Sequence, residues 1–163
     1  MVDPASALTG KTAVFEAMAE NPAVVALSEL ATDAKFDRDE LTITVARENI
    51  VAACEAVKAA GYNFFETVTA VDWYPQEPRF QLSYHILSHR LKQRIRLRVM
   101  LHSTAASVPS ITSVWPAANF YEREVFDLFG IDFAGHPRLT RIMMPENWDG
   151  HPLRKDYPVE GYR

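Results

Sequence analysis

The chain has 163 residues, an ordinary apolar share of 48%, 23% charged residues and a net charge of −4. That length suits one domain able to bury a core of its own. A single cysteine, Cys54, excludes an internal disulfide and any cysteine-built metal or iron–sulfur site within one copy. No apolar run reaches the roughly 20 residues of a membrane span, and Met1-Val2-Asp3-Pro4 has neither the basic start nor the apolar core of a secretion signal. The charge is uneven. Residues 1–80 hold 13 acidic and 6 basic side chains, a surplus of −7, whereas 81–163 hold 8 and 11, a surplus of +3. The two ends are therefore expected to meet different surroundings.

Residues 11–20, with Phe15 and Met18 on one side, predict a short helix that Asn21-Pro22 ends. Residues 23–30 fit either more helix or a sheet edge. Asp37-Arg38-Asp39-Glu40 is a charged turn, and 41–45 alternates apolar and polar as a half-buried strand does. Ile50, Ala53, Cys54 and Val57 follow the helical repeat, closed by Gly61, with Cys54 expected as a buried, inert thiol. Three more strands follow. Residues 66–74 alternate; Phe80, Leu82, Tyr84 and Ile86 share a face; Ile95, Leu97, Val99 and Leu101 share another, and these last two strands predict an antiparallel hairpin. Residues 111–114 predict a helical turn, and Trp115-Pro116 opens a final helix that Gly130 closes. The expected fold is α+β: an open, mostly antiparallel sheet with helices packed on one face and an extended C-terminal arm. The expected division is 1–129 for the domain and 130–163 for the arm.

Arg94, Arg96 and Arg98 project from one sheet face. A nucleic-acid surface would need more phosphate contacts and a basic domain. Pairing with carboxylates is the plainer reading. On the final helix, Tyr121, Val125, Leu128 and Phe129 form an apolar stripe with Glu124 at its edge, while Glu122, Arg123 and Asp127 lie away from it. Glu124 is therefore expected to be partly buried and paired, with Arg138 or Arg141 as its basic partner. Arg123 and Asp127, four residues apart, are placed to pair along the helix.

Residues 130–163 have no clear period, and structureless segments of this length are uncommon inside a compact domain. Yet Ile131, Phe133, Leu139, Ile142, Met143, Met144, Trp148, Leu153 and Tyr157 make it too apolar for a solvated tail. Trp, Tyr, Met and Arg are residues that interfaces favour, so the segment is read as a docking arm. Gly135-His136-Pro137 and Gly150-His151-Pro152 form a near-repeat. Two histidines with Asp132, Asp149 or Asp156 can be drawn as the metal site of a free-standing enzyme, but the spacing matches no metal signature. No Gly-flanked serine, dinucleotide loop or phosphate-loop lysine is present.

The run Y-E-R-E-V-F-D-L-F-G-I-D-F-A-G-H-P-R-L-T-R-I-M-M-P, followed by W-D-G-H-P-L-R-K-D-Y-P, closely resembles the signature of the 30 kDa (C-type) subunit of respiratory complex I. Thr69-Ala70-Val71-Asp72-Trp73 also resembles a strand of that family, while the first 40 residues match least well. The resemblance implies a peripheral, non-catalytic member of the complex on the cytoplasmic side of a bacterial inner membrane. It would have no catalytic residue, cofactor or metal of its own, the FMN, iron–sulfur clusters and quinone belonging to partners. It would brace the D-type subunit, which helps form the quinone cavity, without being fused to it, and would lie near the B-type and I-type subunits. In such a complex NADH oxidation drives quinone reduction and proton translocation. By the same resemblance Glu122, Arg123, Glu124, Asp127 and Gly130 fix the helix and its contacts. His136, Pro137, Arg141, Pro145, His151, Pro152, Arg154, Lys155 and Asp156 order the arm against the partner. The related rival is the equivalent member of a membrane-bound [NiFe] hydrogenase or another complex I-like dehydrogenase.

Overall fold

Residues 7–160 are described by a computed structural model, so the reading of residues 1–4 lies outside the described residues. The alternation of the β5–β6 hairpin organises the rest. In β5 (Phe80–Ser88) and β6 (Gln93–Leu101), Ile86 faces Ile95, Tyr84 faces Leu97, Leu82 faces Val99 and Phe80 faces Leu101. All eight are buried, since alternate strand residues point to one side.

Around this hairpin the chain builds a six-stranded sheet in the order β1-β2-β3-β6-β5-β4. Its other members are β1 (Leu8–Thr9), β2 (Ala31–Asp37), β3 (Glu40–Val45) and β4 (Phe64–Asp72). Every pairing is antiparallel except β3 with β6, because α3 (Ile50–Ala59) carries the chain across the sheet before β4 begins. Ile50, Ala53, Cys54 and Val57 on α3 are fully buried, and burial pushes the Cys54 thiol pKa up. The helix ends at Gly61, whose φ of 100° suits glycine.

The N-terminal helices are α1 (Lys11–Ala17) and α2 (Pro22–Ala26), so the ambiguous segment is helix as far as Ala26 and turn over 27–30, since the Asn21 side chain accepts the Ala23 N–H and Pro22 opens the first turn. Strand β2 was not expected. Its core positions are Ala31 and Ala34, too small to stand out as an apolar alternation. The charged turn makes it a strand: Arg38 and Asp39 take φ of 51° and 61°, a two-residue connection suited to a hairpin.

The final helix, α4 (Ala118–Phe129), starts two residues after Pro116, because the Ala118 and Asn119 amides bond the carbonyls three residues back. Ile131 and Phe133, read as arm residues, are core members: β8 (Asp132–Ala134) pairs in parallel with β7 (Ser107–Pro109), and both side chains are buried. The core collects the apolar sheet face with the buried sides of α3 and α4. On the opposite face Arg94 pairs with Glu66, Arg96 with Glu40 and Arg98 with Asp33. The arginine row is thus engaged by carboxylates of β4, β3 and β2.

Candidate functional site

Helix α4 presents its apolar stripe to β4, but the carboxylate expectation is reversed. Glu124 is exposed, whereas Glu122 and Asp127 are completely buried. A helical wheel assumes one covered side. Here a second side of α4 is covered by residues 110–112 and by the returning arm, so positions away from the stripe are buried too.

Glu122 is held by the first of these covers. Its Oε1 accepts the Ile111 N–H at 2.8 Å and its Oε2 accepts the Ser110 hydroxyl at 2.6 Å. Burial raises its pKa, and the two hydrogen bonds oppose that only in part. His136 lies 3.9 Å from the same carboxylate. The His136 Nδ1 accepts the Arg138 N–H at 3.0 Å, which leaves Nε2 to donate to the Asn119 carbonyl at 3.2 Å. The ring thereby pins the turn containing Pro137 to the first turn of α4.

Asp127 is held by the second cover. One oxygen pairs with the Arg141 guanidinium at 2.7 Å. The other accepts three successive amides, Ile142 at 2.9 Å, Met143 at 2.7 Å and Met144 at 2.9 Å. Burial works against ionisation, but the Met144, Ile142 and Met143 amides with Arg141 outweigh it and lower the pKa. Arg141 also donates to the Trp148 and Gly150 carbonyls. Arg123 does not pair with Asp127 along the helix; it donates to the Thr140 and Arg141 carbonyls. The intrahelical pair gives way because each partner finds stronger, less solvated bonds in the arm.

The arm then closes the C-terminal end of α4. The last carbonyls of a helix lack intrahelical donors, and here the arm supplies them. His151 Nδ1 reaches the Asp127 carbonyl at 2.9 Å, the Leu153 N–H reaches Leu128 at 3.0 Å, and Arg154 donates to both Phe129 and Gly130. Burial, with Arg154 and Arg141 nearby, keeps the His151 pKa below the usual histidine range despite that carbonyl. Gly130 takes φ of 69°, and a Cβ there would sit 2.5 Å from the His151 ring. His136 and His151 do not converge. They bond carbonyls eight residues apart on α4, about 12 Å along its axis at 1.5 Å per residue. Among the described residues no group of three metal-ligating side chains forms.

A third fastening joins arm and sheet. Arg79 donates to Asp72 at the end of β4 and to Asp156 in the arm, at 2.8 Å and 2.6 Å, and Asp72 also accepts the Lys155 N–H at 2.9 Å. Burial disfavours the Asp72 carboxylate, but the Arg79, Lys155 and Tyr74 donors bring its pKa down to about 2. Asp72, Arg79, Ser110 and the Ile111 amide are site members that residue types alone did not indicate. Asp72 lies within the family-like strand, yet nothing local ties Arg79 to a carboxylate 77 positions away.

Pro145 and Pro152 sit at corners: the Pro145 carbonyl accepts the Trp148 N–H, and Pro152 lies in the turn closed between His151 and Arg154. Leu139 packs against the core and several polar groups of the arm are directed at α4 and β4, while part of its apolar surface is left outside. Ile142, Met143, Trp148 and Leu153 are 38–62% exposed. Glu124 and the Lys155 side chain also face outward.

Residues 43–163 match the family described as respiratory-chain NADH dehydrogenase, 30 Kd subunit. The chain belongs to this family. Its relatives include the NADH-quinone oxidoreductase C subunit of Citrifermentans bemidjiense, 47% identical over 150 residues, covering 88% of this chain and 93% of that one. The C subunit of Roseiflexus castenholzii is 45% identical, covering 86% and 85%. Among solved structures, the archaeal membrane-bound sulfane sulfur reductase, a respiratory membrane complex, contains a chain with a TM-score of 0.74 and 27% identity, covering 86% of each. A trypsin-resistant fragment (1–134) of Nqo5 aligns with a TM-score of 0.58 and 34% identity, covering 61% of this chain and 83% of the fragment. The family match includes α4, the arm and the Asp72–Arg79 pair. No helix among the described residues is long and apolar enough to cross a membrane.

Proposed function

We propose that this chain is a non-catalytic assembly subunit in the peripheral arm of a complex I-type NADH:quinone oxidoreductase, on the cytoplasmic side of the membrane. It braces the D-type, quinone-site subunit and lies near the B-type and I-type subunits. FMN, the iron–sulfur clusters and quinone reside in those and other partners, which pass electrons from NADH to quinone with coupled proton translocation. The carrying observation is the outward apolar surface of an arm that is fastened from within. Asp127, Arg141 and Arg154 fix its backbone from within, so Met143 and Trp148 stand outward as pre-ordered contacts. A segment ordered beforehand loses less entropy on binding than a free tail would. The names of the relatives support the same assembly.

A second reading, the equivalent member of another membrane-bound respiratory enzyme such as a [NiFe] hydrogenase, draws support from the likeness to the sulfane sulfur reductase complex. Purification through a tag on this chain from native membranes separates the two. Recovery of the quinone-site subunit with the NADH-oxidising flavoprotein supports the first reading. Recovery of a nickel-bearing hydrogenase subunit, or of no partner, rejects it.

A further inference from the structure

We infer that the outer edge of β4 is completed, in the assembled enzyme, by an extended segment of a neighbouring subunit that carries a basic side chain opposite Glu124. The inference rests on the assembly reading above and adds to it a surface distinct from the arm's outward side chains.

Strand β4 ends the sheet order, and among the described residues its nine residues pair only with β5. The Trp73 N–H donates to the Arg79 carbonyl, and the register then runs Val71 to Gln81, Thr69 to Ser83 and Thr67 to His85. In an antiparallel ladder alternate residues bond the partner strand. Thr67, Thr69 and Val71 therefore turn their amides to β5, while Val68 and Ala70 turn theirs outward. Among the described residues the outward groups meet only the Thr67 hydroxyl, 3.4 Å from the Val68 carbonyl. Edges that remain in solvent are guarded by lysine, proline or a bulge. The bulge of β4 lies between Phe65 and Thr67. Beyond it the strand reads T-V-T-A-V, with no charge and no proline.

Two features specify the occupant. Between the edge and α4 lies a cleft of about 220 Å³ whose lining includes Val68, Ala70, Leu128 and Leu153. That exceeds the roughly 150 Å³ that accepts a benzene ring, so an apolar side chain of an added strand fits. Glu124 stands exposed on the lining of this cleft. No ion pair to it forms among the described residues. A lysine or arginine is the complement it lacks. A second copy laid edge to edge would not supply one, since residues 64–72 contain no basic side chain.

Residue-resolved amide hydrogen exchange tests this on the full chain alone and on the purified complex. In the chain alone the Val68 and Ala70 amides should exchange fast, with Thr67, Thr69 and Val71 slow. In the complex Val68 and Ala70 should slow by at least about 100-fold. A photo-crosslinking residue at Thr69 should capture an extended segment of another subunit, and Glu124→Lys should lower the yield of that adduct at least tenfold. Unchanged exchange in the complex, slow exchange already in the chain alone, or an adduct to a second copy or to a helix would each overturn it. If the chain co-purifies with its partners but the edge amides stay fast, only this inference fails. If it is found in no complex, the assembly reading fails with it.

Discussion

The carboxylate of Asp127, sealed inside α4, lies 2.7 Å from the guanidinium of Arg141 in the arm, while its second oxygen collects the next three amides of the same arm. One helical side chain thus orders four consecutive residues that have no secondary structure of their own. Asp127→Asn would turn a donor towards one of these partners. The expected cost is about 3 kcal/mol in denaturant melts, in line with removing one member of a buried pair. Tryptic cleavage at Arg138 and Arg141 should quicken at the same time. An unchanged cleavage pattern would mean that the arm is held elsewhere.

Glu122 and Asp72 are both buried carboxylates, yet they respond to pH in opposite directions. The folded-state pKa of Glu122 lies above its ordinary value of 4.5, so the stability it contributes is present below that value and is lost as pH rises through the folded pKa. Glu122→Gln keeps an acceptor for the Ile111 N–H and removes that loss. At pH 7 it should remain within about 1 kcal/mol of the native chain, or exceed it. Asp72 behaves conversely, from 3.8 down to about 2. Its contribution is present above about pH 4 and disappears between about pH 4 and 2, a step that Asp72→Asn should flatten. Melts at pH 3, 5 and 7 would read both signs.

Arg154 and Lys155 are neighbours with separate tasks, although by composition they form a single basic pair. The guanidinium of Arg154 serves the Phe129 and Gly130 carbonyls, and hydrogen bonds involving a charged group contribute about 1.5–3 kcal/mol. Arg154→Ala should therefore lower the chain's own stability by about 2 kcal/mol. Lys155→Ala retains the backbone N–H that reaches Asp72 and should change stability by less than about 0.5 kcal/mol. Equal melting temperatures for the two variants would contradict the capping role.

Exchanging the roles of the helix charges gives a further contrast. Arg123 bonds two arm carbonyls, whereas Glu124 is exposed. Arg123→Ala should cost about 1–2 kcal/mol, and Glu124→Ala should be nearly neutral for the isolated chain. A larger loss from Glu124→Ala would restore the burial that its place beside the apolar stripe had implied.

Which parts were legible follows from the range of the forces involved. Strands β3, β5 and β6 and helix α3 carry large branched or aromatic side chains at one period, and that period is written locally. In β2 the buried positions are alanines, and β7 and β8 have three residues each, so neither leaves a periodic trace. By its composition the arm reads as a docking segment. Its seat was hidden because the Ile111, Met144 and Lys155 amides reach Glu122, Asp127 and Asp72 across 11, 17 and 83 positions. A helical wheel treats α4 as having one neighbour, and the second neighbour reversed which acid is buried.

The outward side of the arm supplies the last test. Met143 and Trp148 are 62% and 40% exposed while their backbones are fixed by Asp127 and Arg141. Replacing both with serine removes little from the chain's own core, so its stability should stay within about 1 kcal/mol. A buried interfacial tryptophan commonly contributes about 2 kcal/mol or more to association, and that corresponds to about a 30-fold weaker complex. The double variant should fold normally and lose the quinone-site partner during purification of the assembled enzyme. A comparable loss of folding stability would instead show that these side chains pack against their own domain. Intact assembly would leave the arm without the docking role assigned to it.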